Sequence, residues 1–234
     1  MRRLILPALI ATLLAPAAHA QSGERPEVAT AAAAVKQNVV SWRRDFHQHP
    51  ELSNRETRTA AEVAKQLRAM GLKPLTGIAH NGVVVIIQGG KPGPKVALRA
   101  DMDALPVTEQ VDLPYASKVT TTFRGETVGV MHACGHDAHT GILLGIAKSL
   151  VKMKSDLPGS VMLVFQPSEE GAPDGEEGGA SLMLKEGLFK DFKPDAVFGL
   201  HVFSTLPAGQ IGVRQGPLMA ASDKFTITVK GRQT

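Results

Sequence analysis

One stretch of the chain concentrates the residue types most able to do chemistry: Gly129-Val130-Met131-His132-Ala133-Cys134-Gly135-His136-Asp137-Ala138-His139-Thr140. It holds the single cysteine of the 234 residues and three of the eight histidines. Cys134 and His136 are two apart, a spacing at which the side chains of an extended segment turn to the same side. Gly135 between them permits a tight backbone bend. From Asp137 onward, Ile142, Leu143, Ile146, Leu150 and Val151 recur at three and four residues, which predicts a helix over 137–152 with Asp137 as its N-cap or in its first turn. The thiol and the imidazole then stand where a loop enters a helix. A lone cysteine or histidine is ordinarily a packing residue, so the reading depends on what else reaches this point.

The candidates are acids and a histidine at predicted strand ends. Strands are expected at 82–88, 95–100, 160–165, 195–200, 209–214 and 224–230, from β-branched or alternating runs. The second ends in Asp101-Met102-Asp103, the third runs into Glu169-Glu170, and the fourth stops at His201. Helices are expected at 26–47, with a stripe of Val35, Val39, Trp42 and Phe46, at 53–70, opened by a Ser53/Glu56 capping box, and at 180–186. Residues 89–94 read as a turn, and 106–132 show no clear period. Strands alternating with helices give the α/β class: an open mixed sheet with helices on both faces. In such sheets ligands bind beyond the carboxyl ends of the strands, and that is where Asp101, Asp103, Glu169, Glu170 and His201 fall.

Thiolate, imidazole and carboxylate together suit a borderline-soft divalent ion: zinc first, with manganese and cobalt also fitting. Glu169 and Glu170 are adjacent, so on extended backbone they point opposite ways. One can bind an ion while the other takes a proton from water and passes it to a leaving amine. Two other readings stay open here. Cys134 could be a nucleophile with His136 as its base, although a neighbour two residues away rarely attains that geometry. Alternatively, the protein could be a non-catalytic secreted binder that keeps the site.

Composition narrows the classes. The formal net charge is +4 with few aromatics and no clustered basic patch, which gives nucleic-acid binding little support. Arg2 and Arg3, the apolar run Leu4 to Pro16, and Ala18-His19-Ala20 form the pattern of a cleaved secretory signal over residues 1–20. The expected location is periplasmic or secreted, with no membrane attachment once the signal is cleaved. An exported chain with one cysteine cannot close an internal disulfide, which leaves Cys134 for other work.

Asp101-Met102-Asp103-Ala104-Leu105-Pro106, Met131 through His139, Phe165-Gln166-Pro167-Ser168-Glu169-Glu170-Gly171 and Gly199-Leu200-His201 resemble, in this order, the motifs of a dinuclear-metal amidohydrolase family. It includes N-acyl-amino-acid amidohydrolases, hippurate hydrolases and auxin-conjugate hydrolases, a branch of the aminoacylase and carboxypeptidase group. The resemblance implies a zinc-exopeptidase-like catalytic domain and two divalent ions per subunit, zinc or manganese, with cobalt accommodated. It implies Cys134, His136, Glu170 and His201 as ligands, with Cys134 bridging, Glu169 as general base and Asp103 as a carboxylate orienting a ligand. The resemblance also brings His132 and His139 toward the substrate, and leaves the role of Asp101 open. The implied substrate is a small N-acyl amino acid, hippurate-like or N-acetylated, or a small peptide, and the implied full-length assembly is a homodimer. The matching domain spans 21–221. Residues 222–234 resemble the start of a lid and dimerisation domain whose remainder, with a further ligand histidine, would lie beyond Thr234. On that expectation residues 21–234 alone would be poorly folded or inactive.

Overall fold

The computed structural model describes residues 25–219, 225 and 227–231. The expected signal segment 1–20 lies outside the described residues, as does much of 222–234. The elements are α1 Pro26–Gln48, α2 Thr57–Ala69, β1 Leu75–Ile78, β2 Gly82–Gln88, β3 Lys91–Asp101, β4 Thr120–Phe123, β5 Glu126–Gly129, α3 His136–Lys152, β6 Pro158–Gln166, α4 Gly179–Lys185 and β7 Ala196–Gly199.

Five strands form an open mixed sheet in the order β1-β2-β6-β3-β7. β2 runs antiparallel to β1 and β6, whereas β3 lies parallel to both β6 and β7. The central strands read as unbroken apolar runs because both their faces are covered. On one face Val83, Val85, Leu163 and Phe165 pack with Val63 and Leu67 of α2 and Leu143 and Leu144 of α3. On the other, Val84, Met162 and Val164 meet Met183 of α4 and Phe192. Helices therefore cover both faces, as the alternation of elements predicts.

α1 does not lie directly on the sheet. It packs along α3, where Gly145 leaves room for it: a Cβ there would stand 2.4 Å from Val39 Cγ2. Of the expected stripe on α1, Val35 and Phe46 are buried and Val39 and Trp42 half-buried. Phe46 reaches through to the sheet core and is fully buried.

The structure corrects four sequence expectations. Ser53 and Glu56 do not form a capping box. The second helix starts at Thr57 with no cap bond from Ser53 or Glu56: Ser53 Oγ donates to Asp103 Oδ2 at 2.7 Å, Glu56 turns inward, and the Glu51 carboxylate accepts the Arg58 and Thr59 amides at 3.0 and 2.8 Å instead. The pattern is right for a cap, but more distant, buried partners win both side chains. Second, the turn at 89–94 is confined to Gly89-Gly90. β3 begins at Lys91 and absorbs Pro92 and Pro94 where its register with β6 shifts. Third, the stretch without periodicity contains the hairpin β4–β5. Its two-residue turn, Arg124-Gly125, has φ of 51° and 85°, the doubly positive geometry that matches strand twist. Fourth, 209–214 is not a strand. Ile211 and Val213 are 91% and 92% exposed, and a strand with no neighbour cannot satisfy its backbone groups. The described part of 224–230 is likewise outside any strand.

Phe46 ties α1 to the sheet, so Phe46→Ala should lower unfolding free energy by about 3–5 kcal/mol, the usual cost of emptying an aromatic site in a core. Denaturant unfolding would measure this. A loss below about 1 kcal/mol would mean that the α1 layer contributes little to this core.

Candidate metal centre

The parallel strands β3, β6 and β7 end on the same edge of the sheet. Asp101 pairs with Gln166 across β3–β6, and Arg99 pairs with Gly199 across β3–β7. Two residues past Gly199 is His201, which places it level with Asp101. Glu169 and Glu170 follow β6 after a turn in which Ser168 takes φ of 54°. The entry to α3 faces the same edge. Gly135, with φ of 89°, swings the backbone from Cys134 into the helix, a conformation that favours glycine.

The ligand atoms of Cys134, His136 and His201 lie within 4.8 Å of one another, as do those of His136, Glu169 and Glu170. His136 belongs to both groups. It is fully buried, its Nδ1–H donates to the Asp103 carbonyl at 2.8 Å, and its Nε2 has no hydrogen-bond partner among the described residues. That free nitrogen faces Asp101 at 3.7 Å, Glu169 at 3.7 Å and Glu170 at 3.8 Å. A buried lone pair aimed at three carboxylates suits a cation better than it suits any neighbour in the chain. His201 is set the same way: its Nδ1–H donates to the Val202 carbonyl at 2.7 Å, and Nε2 lies 3.4 Å from Cys134 Sγ.

Charge bears on the same question. Burial and the carboxylates of Glu170, Glu169 and Asp101 push the Cys134 thiol up to about 12. The protein alone does not make this thiol a thiolate, so nucleophilic chemistry by a Cys134–His136 pair loses its support. A divalent ion among these carboxylates would supply the missing positive charge. Burial and Asp101 also raise the proton affinity of Glu169, whose side chain is 38% exposed. Burial works to raise Asp101 too, but a hydrogen bond from His139 and the Arg99 guanidinium hold it down at about 2.

The turn carrying the two glutamates is held from beneath. Asp103 Oδ2 accepts the Glu170 amide at 2.9 Å. Glu56, fully buried, accepts the Ser168 amide at 2.7 Å and Asn81 Nδ2 at 3.1 Å. Sequence reading missed Glu56 in this role, since an acid at a helix entry looks like an ordinary cap. Beside the site, Asp137 sits in the first turn of α3, where it accepts His47 Nδ1–H at 2.9 Å and Arg43 Nε–H at 3.0 Å. His47 also bonds Glu109 at 2.8 Å, which ties the 105–119 segment to α1.

The expected residues Asp103, Cys134, His136, Glu169, Glu170 and His201 come together at one rim. His132 and His139 do not face the open side. Both are buried, at 4% and 1% exposure, and His139 spends one nitrogen on Asp101 and the other on the Val202 amide. The expected substrate contact would need the open side, which neither ring reaches in this structure. Their spacing matches a site motif, but α3 turns His139 inward, and His132, in the loop before that helix, is buried as well.

The sequence pattern of peptidase family M20/M25/M40 matches residues 97–233. A thermostable carboxypeptidase of Saccharolobus solfataricus is 46% identical over 195 residues, covering 83% of this chain and 46% of the relative. An N-acyl-L-amino acid amidohydrolase of Geobacillus stearothermophilus is 42% identical over 198 residues, covering 85% and 50%. Among solved structures, a Bacillus subtilis protein described as a dinuclear metal-binding peptidase of the M20 family superposes with a TM-score of 0.69 at 40% identity, covering 80% of this chain and 48% of its own. The chain thus spans about half the length of the relatives it matches.

Burial raises Glu56 to about 7, against 4.5 when free. The folded chain therefore holds this proton more tightly than the unfolded chain does. The stability Glu56 contributes is full below pH 4.5 and is lost as pH rises through 7. Glu56→Gln removes the titration, so its unfolding free energy should gain about 3 kcal/mol on the wild type between pH 4 and pH 8. A pH-independent difference in denaturant unfolding would contradict the assignment.

Proposed function

The chain belongs to peptidase family M20/M25/M40, and on that premise we propose that the protein hydrolyses the amide bond of small N-acyl amino acids with two divalent ions, zinc or manganese. The observation that carries this reading is the buried Nε2 of His136, unpartnered among the described residues, which faces Asp101, Glu169 and Glu170. The amidohydrolase name of a relative 42% identical supports the substrate class.

Cys134, His136, Glu170 and His201 would hold the ions. Bound there, such ions polarise an amide carbonyl and make water more acidic. The chain's own residues do the rest. Glu169 projects from the same turn as Glu170 but stays more exposed, at 38% against 24%. Its raised proton affinity suits an acid–base group that takes a proton from the attacking water and delivers it to the departing amine. Asp103 sets the geometry twice. Its carbonyl fixes the tautomer of His136, and its carboxylate anchors the Glu170 amide. Such supporting bonds keep ligand orientation tight.

Residues 1–20 support export before action, through Arg2, Arg3, the apolar Leu4–Pro16 run and Ala18-His19-Ala20. Amino-terminal sequencing of the protein recovered from the native host should then begin at Gln21; a start at Met1 would contradict export by cleavage.

Two variants of the full-length protein separate the roles of the glutamates. Glu169→Gln should retain metal and lose about 10²–10⁴-fold in kcat toward N-acetyl or N-benzoyl amino acids. Glu170→Gln should lose metal. Wild-type turnover by Glu169→Gln would refute the base assignment.

A further inference from the structure

Of the four ligand residues, His201 has the least scaffold around it. Cys134 and His136 stand at the entry to α3, and the Glu170 amide is tied to Asp103. His201 comes two residues after β7 ends. The described residues from there to 231 are exposed and contain no helix or strand. Exposed irregular backbone ordinarily samples many conformations, yet a ligand must be held to within a fraction of an ångström.

We infer that His139 is a positioning residue that holds His201 at the metal centre by accepting a hydrogen bond from the Val202 amide. The inference rests on the reading of His201 as a ligand. The bond is 2.9 Å long and runs from Val202 N–H to His139 Nε2. It requires the proton of His139 to be on Nδ1, and that tautomer is set from behind: Nδ1–H donates to Asp101 Oδ1 at 2.6 Å. Arg99 Nη1 binds the other oxygen of Asp101, also at 2.6 Å. A relay thus runs from Arg99 through Asp101 and His139 to the backbone beside His201. It gives Asp101 a function without making it a ligand.

Two packing features act with the bond. The rings of His139 and His201 lie 4.8 Å apart, centroid to centroid, in an edge-on arrangement. Val202 nests over Gly135, where a Cβ would come within 2.1 Å of Val202 Cγ2. So the glycine that bends the chain into α3 also admits the residue that His139 grips. The alternative for His139 is direct ligation, since its ring lies within 4.8 Å of donor atoms on Asp101 and His136. Both its nitrogens are already engaged, and ligation would break one of these bonds.

The test uses the full chain, in three measurements: amide hydrogen exchange at Val202 without metal, zinc affinity by chelator competition, and a mutant cycle with His201→Ala. His139→Phe keeps the ring and removes both bonds. It should speed exchange at Val202 and weaken zinc binding about 10–100-fold. His139→Gln can donate to Asp101 and accept from Val202, and should restore both. On the His201→Ala background, His139→Phe should cost nothing further. If His139→Phe fails to fold, His139→Asn, too short to span both partners, replaces it. Unchanged exchange at Val202, or a further loss of zinc affinity on the His201→Ala background, would overturn the inference. Exchange is read without metal, so it decides the clamp whether or not zinc binds. Absence of zinc binding in the wild type counts against the metal reading alone.

Discussion

β3 lies between β6 and β7 and runs parallel to both, and the site depends on that ladder. Parallel strands end on a common edge, and here the register brings the ends level: Asp101 opposite Gln166, and Arg99 opposite Gly199. The next residues along each strand carry the chemistry. A slip of one residue would turn the side chains of β3 to the other face, removing Asp101 from His139 and Arg99 from Gln166. The apolar side chains that hold the register, among them Val164, Phe165, Ala97 and Ala100, are buried within a few residues of the rim. Core packing and site geometry are therefore one constraint.

The rim concentrates negative charge. Asp101, Asp103, Glu169 and Glu170 converge near one thiol, and Arg99, bonded to Asp101, is the cation that the structure sets directly among them. Each carboxylate disfavours ionisation of its neighbours, and this adds to burial in raising Cys134 and Glu169. Such an arrangement costs stability unless something positive binds. Functional sites commonly accept that cost. Beneath it, the chain supplies compensating order: Ser53 and the Glu170 amide on Asp103, the Ser168 amide on Glu56, and the Val202 amide on His139.

Much of this was legible in the sequence, for identifiable reasons. The central strands announce themselves because burial on both faces demands unbroken apolar runs, and their ends were read to within a few residues. The convergence of Cys134, His136, Glu169, Glu170 and His201 followed from placing them at strand ends and a helix entry. The rest depends on direction, which residue types do not encode. Ser53 and Glu56 have cap spacing but answer to Asp103 and Ser168, partners 50 and 112 residues away. His139 has the spacing of a site histidine, but α3 turns it inward, onto Asp101 and the Val202 amide. The hairpin β4–β5 is short and half-exposed, so no apolar period marks it, and only Arg124-Gly125 hints at its turn.

The central claim is that a thiol, two imidazoles and a glutamate share bound cations at this rim. Titration of the metal-free protein with cobalt(II) tests it most directly. A thiolate bound to cobalt gives an intense sulfur-to-metal charge-transfer band in the near ultraviolet. The account predicts that this band grows with bound cobalt and disappears in Cys134→Ser, since Cys134 is the chain's only cysteine. Cobalt binding with no such band would contradict it.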